Sequence, residues 1–104
     1  MDKYISLSDK GKLDVFDVNK DTLYISVKYC GSKFTIHKEG KLMHEDDVGT
    51  NINDAAMMLE DLDKLYLATD DDIYIIHYLK DRYDIVNGCS KRATQQNILN
   101  LQGL

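Results

Sequence analysis

Whether this chain is α+β or something else turns on residues 65–79, Leu65-Tyr66-Leu67-Ala68-Thr69-Asp70-Asp71-Asp72-Ile73-Tyr74-Ile75-Ile76-His77-Tyr78-Leu79. In one reading, Thr69 and the three aspartates open a helix, with carboxylates at the positive end of the helix dipole. Ile73, Ile76, Leu79, Tyr83 and Val86 then share one side, Tyr74, His77, Asp81 and Asp84 another, and Gly88 ends the helix. In the competing reading, Leu65 to Ala68 pairs with Ile73 to Leu79 as a hairpin across the aspartates, because Ile and Tyr are strong strand formers. The polar stripe at helical spacing favours the helix.

Upstream, Asn51-Ile52-Asn53-Asp54 offers capping side chains. Ala55, Met58, Leu59, Leu62, Leu65 and Tyr66 follow the i, i+3, i+4, i+7 spacing of a helix running to about Leu67. Downstream, Ser90 caps a last short helix through Leu101, with Ile98 and Leu99 or Leu101 as its apolar contacts. The first 43 residues read differently. Leu23, Ile25, Val27 and Tyr29 alternate with Tyr24, Ser26 and Lys28, a period of two that marks a half-buried strand. Turn signals at Ser8-Asp9-Lys10-Gly11, Asn19-Lys20-Asp21, Cys30-Gly31-Ser32 and Lys38-Glu39-Gly40 separate short strands. Connections this short leave no room for crossovers, so neighbouring strands pair antiparallel. The expected fold is a single α+β domain over residues 1–104. An antiparallel β-meander of four to five strands (about 1–44) is covered on one face by two helices and a short final helix (about 51–101).

The 104 residues include no proline, no tryptophan and two cysteines, and carry a net charge of −5. Disordered, collagenous and coiled-coil classes are excluded by the apolar content and by the lack of any sustained repeat. No apolar run approaches the roughly 18 residues of a membrane span, and Met1-Asp2-Lys3-Tyr4 does not begin like a signal peptide, so a cytoplasmic protein is expected. Cys30 and Cys89 are then free thiols.

Of the 18 acidic residues 15 are Asp, a residue suited to turns and helix starts. Their distribution is uneven. Residues 45–84 hold 12 acids and three bases, while residues 1–44 and 85–104 each carry a net +2. Glu45, Asp46, Asp47, Glu60, Asp61, Asp63, Asp70, Asp71 and Asp72, with Tyr74 beside them, are therefore the candidate partner-binding residues. They would form a negative surface able to steer a basic partner and to imitate phosphate spacing. The plainer account is a set of caps and solvated faces that keep a small protein soluble.

Other chemistry finds less support. Asp17-Val18-Asn19-Lys20-Asp21 opens like a calcium loop, yet Thr22 stands where glycine is needed and Lys28 where a bidentate Glu is needed. His44 with Asp46 and Asp47, and His77 with Asp81 four residues on, each make half of a metal site, so no metal or cofactor is expected. No nucleophile elbow, P-loop, dinucleotide fingerprint or zinc-protease motif occurs, and no catalytic residue is assigned. The acidic balance and two arginines oppose direct nucleic-acid binding. The expectation is a small acidic non-enzymatic module that binds another protein with a basic surface, in one version an inhibitor occupying a nucleic-acid-binding groove. Two alternatives are a small-molecule-binding or enzymatic domain using Tyr, His37, His77 and carboxylates in a sheet–helix crevice, and a homo-oligomer subunit joined by an edge strand or the apolar C-terminal segment.

Overall fold

The fold comes from a computed structural model, which describes residues 3–86. Nine strands follow one another: β1 (Tyr4–Asp9), β2 (Lys12–Asp17), β3 (Thr22–Cys30), β4 (Lys33–Lys38), β5 (Lys41–Asp47), β6 (Ile52–Met58), β7 (Asp61–Thr69), β8 (Ile73–His77) and β9 (Arg82–Val86). They form two antiparallel meanders, a first sheet ordered β1-β2-β3-β4-β5 and a second ordered β6-β7-β8-β9. Every strand pairs only with its neighbours in the chain.

The five-stranded meander matches the expectation for the first half, and the α+β class does not stand. Among the described residues there is no helix, and the fold is all-β. The segment expected to be one helix up to Leu67 is the β6–β7 hairpin, and the segment from Thr69 onward is β8 and β9. The short final helix expected after Ser90 lies outside the described residues.

Local chemistry explains the correction. Thr69 and the aspartates close a tight turn: the Thr69 amide donates to the Asp72 carbonyl at 2.9 Å. The Thr69 hydroxyl accepts from the amides of Asp71 (3.2 Å) and Asp72 (3.0 Å) and donates to the Asp72 carbonyl at 2.7 Å. Side-chain hydroxyls serve turns and helix caps with the same bonds, so Thr-Asp-Asp-Asp is equally legible as either. The flanking β-branched and aromatic residues then zip, Ala68 opposite Ile73 and Leu65 opposite Ile76.

One face of each sheet meets the other across the main core. Leu13, Val15, Ile25, Val27, Phe34 and Ile36 from the first sheet pack with Ile52, Ala55, Met57, Leu65, Leu67 and Ile76 from the second. Phe34, Leu13, Ile25, Ile36, Leu65, Leu67 and Ile76 are each under 2 % or at most 2 % exposed, so the interior is closed to water. Burying each of these side chains contributes roughly 1.5–3 kcal/mol, the dominant stabilising term.

Polar bridges fasten the two flanks. At one, the Ser8 hydroxyl of edge strand β1 donates to Asp54 of edge strand β6 at 3.1 Å. At the other, Tyr83 of β9 reaches His44 and Asp46 of β5. At the β1–β2 turn Gly11 holds φ +80°, and a Cβ there would stand 3.2 Å from the Tyr29 carbonyl, so this turn requires glycine.

Candidate functional site

The turns fall alternately at two ends of the sandwich, and hydrogen bonds show which turns share an end. The amide of Ile52 donates to Gly31, that of Val48 to Ser32, and that of Asp70 to Asn51. Asn53 Nδ2 donates to Asp70 at 2.9 Å, and the Tyr29 amide donates to Gly11 at 3.0 Å. The β1–β2 turn, the β3–β4 turn, the β5–β6 connection and the β7–β8 turn therefore gather at one end, bringing Asp9, Asp47, Asp54, Asp70, Asp71 and Asp72 with them. Tyr29 senses this charge. Burial pushes its hydroxyl pKa up and the Asp54 and Asp9 carboxylates push it further, against the lowering effect of a backbone hydrogen bond at Gly11.

The candidate acids divide between the ends. Glu60, Asp61 and Asp63 lie at the opposite end, at the β6–β7 hairpin, because β7 runs from Asp61 to Thr69. Eight residue steps of strand put about 27 Å between Asp61 and the aspartate turn. Asp61 is also ion-paired with Lys64 at 3.2 Å. Glu45 is exposed on the outer face of the first sheet, opposite Thr35. Tyr74 is half-buried against the main core. The nine acids do not form one continuous patch. Asp70, Asp71 and Asp72 do share one turn, and no cation among the described residues forms an ion pair with them.

Asp46 and Asp47 are individually held. Asp47 has its pKa lowered by a hydrogen bond from the Ser32 side chain and another from the Gly49 amide, which sits 2.8 Å away. Asp46 is lowered chiefly by the hydroxyl of Tyr83, which donates to it in a short contact, while burial first and then the same bond push Tyr83 far up. His44 Nε2 lies 2.8 Å from the Tyr83 oxygen. Tyr83 has one proton and gives it to the carboxylate, so His44 Nε2 must carry the hydrogen in that contact. This relay runs from His44 through Tyr83 to Asp46 and clasps β5 to β9. Residue types alone offered no signal for it, since Tyr83 lies 37 positions from Asp46.

The half-sites weighed for metal resolve otherwise. His77 bonds Asp84 at 2.8 Å and not Asp81, because the hairpin places His77 opposite Arg82 and diagonal to Asp84. Among the described residues no group of three or more His, Cys, Asp or Glu is placed to hold a metal. Asp17 accepts from the Asn19 amide at 3.0 Å in the β2–β3 turn, and Asp21 takes a left-handed φ of 51° there, so the calcium-like run is turn chemistry.

The sheet–helix crevice of the small-molecule alternative has no counterpart among the described residues. His37 sits on the outer face of the first sheet and His77 on the outer face of the second, so the two imidazoles do not converge. A cleft of about 530 Å³ lies along β3, β4 and β5, its walls including Lys28, Lys33, Glu45 and Asp47. It is an open groove of mixed charge with no histidine. Cys30 at its rim is a free, exposed thiol. No helix among the described residues is long and apolar enough to cross a membrane.

Set beside known proteins, the chain matches no family model, no curated protein and no solved structure.

Proposed function

We propose that this protein is a non-enzymatic binding module that engages a partner protein with a basic surface through the end of the sandwich bearing Asp70, Asp71 and Asp72. The observation that carries this is the placement of three consecutive carboxylates in one turn, unpaired with any described cation, at the end that also holds Asp9, Asp47 and Asp54. Like-signed groups at one end raise the local potential and speed the encounter with an oppositely charged partner. The contact is short: it spans one end of the molecule, since Glu60, Asp61 and Asp63 stand at the other. A basic loop or helix end suits it better than a long nucleic-acid groove.

The test is affinity capture from the native cell with the wild-type chain and with Asp70→Asn, Asp71→Asn and Asp72→Asn combined. Asn preserves the oxygen that Asp70 offers to Asn53 and changes only charge. The expected outcome is a partner whose capture falls at least tenfold with the triple variant and with 0.5 M salt. A partner retained equally under both conditions overturns the proposal.

A second reading, self-association, has its own observation: Ile5, Leu7, Leu23 and Leu42 are exposed on the first sheet. Sedimentation at two concentrations a hundredfold apart decides it; a single monomeric species removes it.

A further inference from the structure

Among the described strands, the sheet edges are β1, β5, β6 and β9, and they are not equally protected. An unpaired edge invites another strand, and bulges, charges and prolines are what blunt it. β5 carries a register shift against β4, and β6 carries two against β7. β9 sets Arg82 and Asp84 along its length. β1 has no such device. It pairs with β2 without a shift, and from Tyr4 to Ser8 it reads Tyr-Ile-Ser-Leu-Ser, with neither a charge nor a proline. Ile5 and Leu7 are 47 and 59 % exposed on its outer face.

Backbone parity fixes what this edge offers. The Val18 amide donates to the Lys3 carbonyl at 3.1 Å, so along the unshifted ladder Lys3, Ile5, Leu7 and Asp9 turn their backbone groups toward β2. The amide and carbonyl of Ser6 therefore point the other way, where no described strand lies.

We propose that this edge pairs with the β1 of a second copy of the chain, antiparallel about a two-fold axis at Ser6, a pairing that rests on the self-association reading and gives it a surface. Ser6 meets Ser6 of the other copy, and the two exchange both backbone hydrogen bonds. Ile5 then stands against Leu7 in the pairs without hydrogen bonds, where facing side chains come closest. Lys3 and Asp9, both exposed, stand against each other on either side of the axis. Behind Ile5, Phe16 and then Leu23 continue the apolar strip across β2 and β3. Slipping the register by two residues, the smallest slip that keeps the edge hydrogen bonds, sets Lys3 against Leu7 or Asp9 against Ile5. The centred register satisfies backbone, apolar side chains and charges together, so the strand complements itself.

Sedimentation of the full chain between about 1 and about 500 µM tests this, since a contact of one strand edge is small and dissociates in the micromolar range. Ser6→Pro removes the central outward amide without touching a bond to β2, and is expected to weaken dimerisation about tenfold or more. Lys3→Asp and Asp9→Lys each set like charges across the axis, and each is expected to weaken it about fivefold, although Asp9→Lys brings the net charge of −5 closer to zero. An equimolar mixture of those two variants restores both opposite-charge contacts and is expected to recover the dimer. A wild-type chain that stays monomeric throughout overturns this pairing together with self-association. A dimer kept at full strength by a folded Ser6→Pro chain, or a mixture no tighter than its components, overturns the pairing and leaves self-association standing. If circular dichroism shows Ser6→Pro unfolded, the charge exchange alone decides.

Discussion

The first sheet buries apolar side chains on one face, and the second buries them on both. β2, β3 and β4 alternate, with Leu13, Val15, Ile25, Val27, Phe34 and Ile36 inward and Asp14, Ser26, Lys28, Thr35 and His37 outward, until the register shift between Val15 and Phe16 turns Leu23 outward as well. β7 and β8 do not alternate: Leu65, Tyr66, Leu67 and Ala68 are all buried, as are Ile73 and Ile76, although they point to opposite faces. Sheets with both faces covered draw on near-continuous apolar strands, whereas half-solvated ones show period two. The contrast teaches that two meanders of similar topology can carry different apolar patterns, one alternating and one nearly continuous through its central strands.

Truncating buried residues gives the harshest test of that contrast. Leu65→Ala on the inner face and Ile73→Ala on the outer face of the second sheet should each cost about 3 kcal/mol in urea unfolding. Should Ile73→Ala cost less than about 1 kcal/mol, the second sheet has a solvated face after all and the contrast collapses.

Alkaline unfolding probes how the second sheet closes at one end. Burial pushes Tyr78 up to about 12, with Asp63 and other nearby groups adding to the shift, and its hydroxyl donates to the Leu62 carbonyl at 2.6 Å. A tyrosine whose pKa is raised by folding contributes stability that is whole below its unfolded value of about 10 and is lost as pH climbs through the folded value. Circular dichroism should therefore show destabilisation between about pH 10 and 12. Tyr78→Phe should flatten that limb while costing about 1 kcal/mol at neutral pH from the lost hydrogen bond. An unchanged alkaline limb in Tyr78→Phe would show that another group governs it.

The clasp between the sheets should weigh less, because Asp46 is exposed. Tyr83→Phe or Asp46→Asn should cost no more than about 1 kcal/mol at pH 7. Asp46 is depressed in the folded protein, so its contribution is present above the ordinary carboxylate value near pH 4 and disappears as pH falls through the lower folded value. Acid titration of wild type against Asp46→Asn should show the two curves converging below about pH 4. Smallest of all, Leu7→Ala and Leu23→Ala on the wet face should stay within about 0.5 kcal/mol of wild type.

The same contrast explains what could be read in advance. In the first sheet, Leu23 to Tyr29 announces its period, and Gly11, Gly31 and Gly40, all at positive φ, announce the turns. In the second sheet the apolar residues run together. Among consecutive apolar positions some always fall three and four apart, so Ile73, Ile76 and Leu79 satisfy a helical template although the chain is extended. Thr69 and its aspartates satisfy a helix start and a hairpin turn alike. The hairpin alternative at residues 65–79 contained the observed pairing, and β-branching at Ile73, Ile75 and Ile76 was the signal that favoured it. Of the candidate surface, the Asp70 to Asp72 turn was visible as a charge run. Its separation from Glu60, Asp61 and Asp63 was not, because a helix would have compressed those residues to a fraction of the span of β7. The relay from His44 to Asp46 through Tyr83 depended on the packing of distant edge strands.

Because each strand hydrogen-bonds only to those beside it in sequence, ring closures during folding are a handful of residues long, and each costs little chain entropy. Hairpins of this kind zip outward from their turns within microseconds. During synthesis the amino-terminal meander can complete its backbone ladder before β6 leaves the ribosome, and so stands ready as a template onto which the later, greasier hairpins condense as they emerge.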